Sequence, residues 1–368
     1  MKLLVRTRLA APALILALVA ISACGSDDQS TTSQDSVSPQ GSEVDSVDTT
    51  ADTTADTTGI PDTAAPSDLP PEGRGTVTEN ADGSRTVVST WGETVVPADP
   101  QRIVSLIGDV DFEAMLALGV TPIAAGTQGG SATSGFSPHI DPALTADVTP
   151  LAWTDGAPYE EIAALEPDLI FAPDQETYDL LSEIAPTVPR GTWTGDEWKD
   201  DFVYVGEVLG LADDATSMVA DYEQRVEEIS TQLADTIAGV TVASPQVSYD
   251  DSGVSIAGPD QFSSAILTEL GFTLAPVVSA GDGWSTELSY ERLPDIDADI
   301  LFWQVRQDEN GNPNTEALSN VEDNPLWSQL PAVQADQVYF VDNRPWYFPT
   351  ILGAQRILDD VEAALLDR

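Results

Sequence analysis

Three arginines in this sequence each lie within three residues of a tryptophan, in segments that follow predicted strands. The pairs are Arg190 with Trp193, Arg306 with Trp303, and Arg344 with Trp346. A guanidinium group donates hydrogen bonds to ligand oxygens through a planar fork, and an indole ring supplies an apolar wall. The same pairs also form when a surface arginine packs on a tryptophan ring. The pattern therefore indicates either the lining of a ligand cleft or ordinary surface packing.

Other aromatic residues also fall at predicted strand ends, which is where open α/β sheets bind ligands. The predicted ligand-binding residues are Trp153, Arg190, Trp193, Trp284, Trp303, Arg306, Arg344, Trp346 and Tyr347. Trp198 and Trp327 stand where helices are predicted to begin, and we assign them to the core. The arginines Arg102, Arg225, Arg292 and Arg356 are interpreted as structural.

The single histidine, His139, limits the chemistry that the chain can perform. A Ser-His-Asp hydrolase needs it as the base, and zinc sites usually need several histidines or cysteines. The sequence also has no G-x-S-x-G motif and no phosphate-binding glycine loop. We therefore predict no catalytic residue and no protein-bound metal, and interpret His139 as a surface residue. A tyrosine can ligate haem iron, so Tyr159, Tyr290 and Tyr347 keep that possibility open.

The only cysteine, Cys24, ends an amino-terminal segment that is first basic, then apolar, then rich in small residues. Lys2, Arg6 and Arg8 precede the apolar run of residues 9–20. This order is typical of a bacterial secretion signal, and the residues around the cysteine resemble a lipobox. The run is shorter than the roughly 20 residues that a bilayer-spanning helix needs. We predict a signal peptide over residues 1–23 and acyl chains, palmitate among them, on Cys24. The alternative is an ordinary secretion signal with an incidental cysteine.

Residues 24–73 are predicted to form a disordered tether. Between residues 25 and 73 there are 11 Asp or Glu, no Lys or Arg, and a Thr-rich repeat at 48–58. Such a segment cannot bury enough apolar area to offset the entropy lost on ordering. The tether would hold the folded part away from a membrane.

The charge of the chain excludes nucleic acid as a partner. There are 62 Asp and Glu against 14 Lys and Arg, which gives a formal net charge of −48. Binding to phosphates requires basic patches, and an acidic surface is repelled from anionic ones.

From residue 74 onward, short apolar runs alternate with amphipathic segments, which predicts parallel sheets with crossover helices. The longest helix signal covers residues 213–237, which contain no Pro or Gly. Its apolar residues recur at helical spacing: Met218, Tyr222, Val226, Ile229 and Leu233. We predict an α/β fold of two lobes, each a mostly parallel sheet flanked by helices, joined by one long rigid helix. The boundaries are 74–212, 213–237 and 238–368.

The two halves also echo each other, because residues 160–171 and 291–302 each place a short acidic-started helix before an apolar strand. The folded region resembles the helical-backbone substrate-binding proteins of iron-siderophore and cobalamin ABC importers. Segments that match in order span about 270 residues: 96–106, 116–123, 162–170, 324–327, 330–333 and 358–361. The stretch 107–111 departs from the family pattern, so ligand identity is not carried over from any single relative.

The resemblance implies a lipid-anchored, extracytoplasmic and monomeric binding protein without a cofactor of its own. It would capture a ferric siderophore in the cleft between its lobes and deliver it to an ABC permease. It also implies that Glu160 and Glu291 dock to arginines of the permease; the alternative is that both are solvated residues at helix starts. The negative charge favours neutral or cationic hydroxamate complexes over catecholates. A haem or cobalamin receptor and a structural surface lipoprotein remain the alternatives.

Overall fold

The computed structural model describes residues 73–366, with gaps at 107–109, 128–134, 138, 153–155, 192–194, 196, 282 and 308–311. The predictions for Cys24, Trp153 and Trp193 lie outside the described residues. So do the predicted signal peptide and residues 24–72 of the predicted tether. All of them remain predictions.

The described chain begins with a three-stranded antiparallel sheet that the sequence analysis did not predict. Its strands, paired in the order β1-β2-β3, are β1 (Gly75–Glu79), β2 (Arg85–Ser89) and β3 (Glu93–Val96). A turn stabilised by Asn80 and Gly83 connects the first two, and Gly83 has the positive φ that such a turn needs. Thr94 of β3 donates a hydrogen bond to the carbonyl oxygen of Thr187, which fastens this sheet to the amino-terminal lobe.

Arg74, directly before β1, is buried among three acidic side chains. Its guanidinium lies 3.2 Å from Asp201, 3.6 Å from Glu197 and 3.8 Å from Asp200. The start of the described chain is therefore held by ion pairs as well as by strand pairing.

The amino-terminal lobe is built on a parallel sheet of five strands in the order β6-β5-β4-β7-β8. The strands are β4 (Ile103–Ser105), β5 (Ala124–Gly126), β6 (Thr149–Leu151), β7 (Leu169–Ala172) and β8 (Thr187–Pro189). The helices are α1 (Val110–Ala117), α2 (Pro142–Thr145), α3 (Tyr159–Ala164), α4 (Gln175–Leu181) and α5 (Trp198–Leu209). All four residues of β7 are buried, as expected for a strand covered on both faces.

The long helix α6 runs from Ala212 to Ile237 over 26 residues, or about 39 Å. Its buried residues include four of the five that the spacing predicted: Tyr222, Val226, Ile229 and Leu233. The prediction of one long helix between two lobes is confirmed.

The carboxy-terminal lobe has a mixed sheet of seven strands. They are β9 (Thr241–Ala243), β10 (Pro245–Val247), β11 (Gly253–Ala257), β12 (Thr273–Leu274), β13 (Ser285–Ser289), β14 (Ile300–Val305) and β15 (Val338–Asp342). The strands β9 and β10 follow each other with one residue between them, and both pair with β14 in parallel. On the other side of β14 lies β15, also parallel, whereas β11 and β13 run antiparallel. The predicted parallel character therefore holds for the centre of this sheet.

Short helices surround this sheet. They are α7 (Phe262–Glu269), α8 (Pro276–Ser279), α9 (Thr315–Glu322), α10 (Pro331–Gln334), α11 (Asn343–Tyr347) and α12 (Ile351–Leu365), with 3-10 turns at Tyr290–Asp295 and Trp327–Gln329. The last helix, α12, packs against α1 and α5 of the first lobe as well as α6 and α7.

The two lobes share one apolar core. The ring of Trp198 in α5 makes edge contacts with Tyr222 of α6 at 5.0 Å and with Phe262 of α7 at 5.7 Å between centroids. Gly195 permits this approach, because a Cβ there would lie 2.5 Å from the backbone nitrogen of Phe262. Within the part of the chain that the structure describes, no helix has both the length and the apolarity to cross a bilayer.

Candidate functional site

Parallel strands bring polar residues together where they end, and in this fold the predicted arginines follow such strands. Arg190 comes directly after β8 in the amino-terminal lobe, and its backbone N–H donates to the carbonyl of Ala172. Arg306 follows β14 and Arg344 follows β15 in the other lobe. The predicted cations are therefore divided between the two lobes, at the carboxyl ends that bind ligands in open α/β sheets.

In the carboxy-terminal lobe these strand ends form a cluster that we call the C-lobe rim. Its members are Tyr249, Trp284, Arg306, Arg344, Tyr347 and Phe348. The ring of Trp284 meets that of Tyr347 edge-on at 5.9 Å, and Tyr347 meets Phe348 at 5.2 Å. The guanidinium of Arg344 lies 4.9 Å from the centre of the Phe348 ring. Four predicted ligand residues, Trp284, Arg306, Arg344 and Tyr347, are thus brought together.

Tyr249 lies near both arginines of the rim. The guanidinium of Arg306 lies 4.7 Å from the centre of the Tyr249 ring, within the range of a cation–π contact. Partial desolvation of the phenol raises the pKa of Tyr249, and the positive charges of Arg344 and Arg306 oppose that rise. Sequence reasoning missed this residue, although it follows the apolar strand β10 and so stands where a ligand residue is expected.

Two contacts fix the position of the Arg306 guanidinium. It donates to the carbonyl oxygen of Ser248 at 3.0 Å and pairs with Asp251 at 3.2 Å. Because Asp251 is largely exposed, solvent weakens this ion pair. Arg306 therefore keeps a positive charge that is only partly compensated by the protein.

A buried amide network supports the rim. Asn343 Nδ2 donates to the side-chain oxygens of Gln246 at 3.0 Å and Gln304 at 2.8 Å. Gln304 in turn donates to the hydroxyl of Ser244. Since Asn343 opens α11, the network orients the helix that carries Arg344 and Tyr347. Gln246 and Gln304 also line a recess together with Trp284 and Tyr347.

Two predicted ligand residues are corrected by the structure. Trp303 lies inside β14, a strand flanked on both sides, and its fully buried ring packs against Trp327 at 5.0 Å. Trp346 is also fully buried, stacks on Phe302 at 4.9 Å and donates to Asp360. The prediction that these two tryptophans lie on loops lining the cleft is wrong, because the strand continues past Trp303 and α11 turns Trp346 inward.

The two lobes also meet through buried polar side chains. Glu113 in the first turn of α1 accepts a hydrogen bond from the hydroxyl of Thr350 at 2.9 Å, across the lobes. The other oxygen of Glu113 lies 3.0 Å from Nε2 of His139, whose Nδ1 lies 2.8 Å from the hydroxyl of Ser137. The side chain of His139 is only 10% exposed, so its interpretation as a surface residue is wrong.

Both predicted docking residues are exposed at the start of short helical segments. Glu160 lies in the first turn of α3, and Glu291 lies in the 3-10 turn at Tyr290–Asp295. Hydrogen bonds from its own backbone N–H and from Ser289 lower the pKa of Glu291, so it is a carboxylate at neutral pH. Neither side chain is buried against the rest of the fold.

Among the described residues, no group of three or more His, Cys, Asp or Glu side chains is placed to hold a metal ion. The C-lobe rim offers two guanidinium groups, two phenols, an indole and a phenyl ring at strand ends. Such a surface binds a bulky ligand that combines oxygen atoms with apolar surface.

Comparison with known proteins identifies the fold family. The probable siderophore-binding lipoprotein YfiY of Bacillus subtilis is 30% identical over 295 residues, which cover 77% of this chain and 88% of that protein. The iron(3+)-hydroxamate-binding protein YxeB of the same organism is 27% identical over 294 residues, covering 77% and 86%. The siderophore periplasmic binding protein of the fuscachelin gene cluster of Thermobifida fusca superposes with a TM-score of 0.60 at 27% identity, covering 74% of this chain and 99% of that one. The model of the periplasmic binding protein family matches residues 103–345. The chain therefore belongs to the periplasmic binding protein family, whose members bind substrates for import.

Proposed function

We propose that this chain is the extracytoplasmic substrate-binding protein of an ABC importer, which captures a ferric siderophore between its lobes. Membership of the periplasmic binding protein family supports the binding role, and the names of its relatives support the ligand class. In keeping with that role, we also propose that it is not an enzyme and that it acts as a monomer.

The C-lobe rim is the observation that carries this proposal. A ferric siderophore is bulky, presents oxygen atoms around its iron and often carries aromatic or amide surface. Arg306 and Arg344 can donate to such oxygens, while Trp284 and Tyr347 offer ring faces and edges. Arginines are scarce in this acidic chain, so two of them within one aromatic cluster make a locally favourable site for oxygen ligands.

Within the ferric siderophores, we propose a hydroxamate complex. A net charge of −48 repels a trianionic catecholate complex at long range, whereas a neutral or cationic complex approaches freely. The likeness to the iron(3+)-hydroxamate-binding protein YxeB supports the same choice.

Titration of the full chain by tryptophan fluorescence tests the ligand. The panel contains ferrioxamine B, ferric enterobactin, ferric citrate, haemin and cyanocobalamin, with iron-free desferrioxamine as a control. We expect saturable quenching by ferrioxamine B below micromolar concentration. A preference for haemin or cyanocobalamin would replace the siderophore by the alternative ligand, and a folded chain that binds none of the panel would favour a structural lipoprotein.

We further propose that Glu160 and Glu291 dock the loaded protein on its permease. Each carboxylate is exposed and matches the planar fork of an arginine. The double substitution Glu160→Ala and Glu291→Ala should abolish siderophore-dependent growth while leaving ligand affinity unchanged. Replacement of the neighbouring exposed Glu161 by alanine is the matched control and should have no effect. Normal growth of the double variant would remove these two residues from the interface.

The membrane attachment is proposed to rest on a lipid at Cys24. Replacing Cys24 by serine should move the protein from the membrane fraction to the soluble fraction of the cell. Retention of the serine variant in the membrane would assign the attachment to another segment.

A further inference from the structure

The polar contact between the lobes lies on the side where the strands of both sheets end. Glu113 belongs to α1, which begins a few residues after β4 ends, and Thr350 follows α11, which comes directly after β15. The side chain of Glu113 is 1% exposed and Thr350 is 3% exposed. This contact therefore lies beneath the strand-end surface and is closed to a ligand.

The hydroxyl of Thr350 makes two bonds at once. It accepts a hydrogen bond from the backbone N–H of Gly353 at 2.9 Å, which caps α12. It also donates a hydrogen bond to the Glu113 carboxylate at 2.9 Å. A hydroxyl group has one donor, so this donor is committed to the opposite lobe.

Thr350 is rigidly connected to the C-lobe rim. The backbone N–H of Thr350 donates to the carbonyl of Phe348, and that of Phe348 donates to the carbonyl of Arg344. Gly353 packs so closely against this segment that a Cβ there would lie 2.7 Å from the carbonyl oxygen of Pro345. A shift of Thr350 is thus transmitted to Arg344 and Tyr347.

A histidine of the same lobe lies beside the carboxylate of Glu113. His139 approaches the second carboxylate oxygen at 3.0 Å, and the hydroxyl of Ser137 approaches the other ring nitrogen at 2.8 Å. Removing one member of such a buried set leaves the others without compensation, which makes the arrangement sensitive to single changes.

We propose that Glu113 and Thr350 are positioning residues: their hydrogen bond sets where Arg344 and Tyr347 stand relative to the amino-terminal lobe and thereby controls ligand affinity. This inference rests on the proposed function, because the rim must be part of the ligand site. It adds two residues that act on the ligand without touching it.

Substitutions at Thr350 separate this role from helix capping. Thr350→Ser keeps both bonds and serves as the control. Thr350→Asp keeps the cap but places a second carboxylate against Glu113. The double variant Thr350→Asp with Glu113→Gln restores a hydrogen bond of reversed direction, because the glutamine amide can donate to the aspartate. Glu113→Gln alone is a milder variant that still accepts from Thr350.

Two measurements are made on the full chain: affinity for ferrioxamine B by fluorescence titration, and hydrogen exchange of the amides in residues 344–350. We expect Thr350→Ser to match the original protein. Thr350→Asp should weaken binding by about tenfold or more and accelerate exchange in this segment, and the double variant should recover most of both. Glu113→Gln should lose affinity only a few-fold.

The proposal is overturned if Thr350→Asp leaves both affinity and exchange unchanged, or if the double variant recovers neither. Should Thr350→Asp fail to fold, Glu113→Ala decides, because it removes the acceptor and leaves the bond between Thr350 and Gly353 in place: unaltered affinity and exchange in that variant would overturn the proposal. If the original protein binds no member of the panel, the proposed function fails, and the exchange data alone judge whether the hydrogen bond positions the rim.

Discussion

The two lobes are connected by contacts of two opposite kinds. In the shared apolar core, Trp198, Tyr222 and Phe262 join α5, α6 and α7 through ring contacts. Where α1 packs against α12, Glu113 and Thr350 add a buried hydrogen bond between the lobes. The apolar connection is non-directional and scales with buried area, whereas the polar one depends on distance and angle. We therefore expect the apolar connection to hold the lobes together and the polar one to set how they face each other.

The largest expected loss of stability comes from removing a large side chain from the apolar connection. Trp198→Ala removes a fully buried indole and should lower the free energy of unfolding by about 3–5 kcal/mol. Urea unfolding followed by circular dichroism measures this loss. Trp284→Ala, at the half-exposed rim, is the control and should cost less than about 1 kcal/mol. Similar losses in both variants would mean that the ring contacts of Trp198 do not hold the lobes together.

A change at the rim should separate affinity from stability. Arg344→Ala removes a guanidinium that belongs to neither connection, so we expect affinity for ferrioxamine B to fall about tenfold, or 1.4 kcal/mol. Its thermal midpoint should stay nearly unchanged. Arg356→Ala, in which the lost arginine is half-exposed on α12 and pairs with Asp360, is the control for affinity. Equal affinity in both variants would show that Arg344 does not contact the ligand.

A smaller effect is expected where the apolar connection carries one polar group. The hydroxyl of Tyr222 donates to Glu269, which also pairs with Lys199 at 3.1 Å. Tyr222→Phe leaves that ion pair in place, so it should cost only about 1 kcal/mol of stability and should not alter affinity. Tyr339→Phe, which removes a hydroxyl that donates to Gln337 at 2.9 Å, is the control. A change of affinity in Tyr222→Phe would break the proposed division between the two connections.

The smallest effect is the pH dependence of stability that comes from two largely buried carboxyl groups, Asp342 just before α11 and Asp360 within α12. Burial raises the pKa of Asp342 and Asp360 above the ordinary 3.8. A carboxyl whose folded pKa is raised contributes stability below its ordinary pKa and loses that contribution as the pH rises through the folded value. These two groups should therefore favour the folded state slightly on acidification from neutral pH. The slope of unfolding free energy against pH should be shallower in Asp360→Asn, and an unchanged slope would contradict this assignment.

The sequence predicted the parts of the fold that depend on local periodicity. The run of residues 213–237 lacks Pro and Gly and repeats its apolar residues at helical spacing, and the helix α6 covers it. The sheet β1-β2-β3 was missed, although residues 76–79 and 85–88 flank an Asp82-Gly83 turn signal of the kind typical of hairpins.

The site was predicted only in part, because strand ends are hard to place from sequence. Trp303 and Trp346 have the same residue type and the same neighbours as true rim residues, but β14 runs two residues past Trp303 and α11 points Trp346 at Asp360. The partners of His139 and Thr350 are distant in the sequence: Glu113 and Thr350 are separated by 237 positions. Pairings of that kind follow from the packing of the lobes and have no local signal.

The burial of Arg74 has a mechanical consequence. Arg74 is the second described residue of the chain. Its guanidinium forms ion pairs with Glu197, Asp200 and Asp201 at the start of α5. A pulling force applied through the preceding residues acts on these ion pairs before it acts on β1. Because α5 packs along α6 and carries Trp198, the load passes into the shared core instead of peeling β1 from β2 one hydrogen bond at a time.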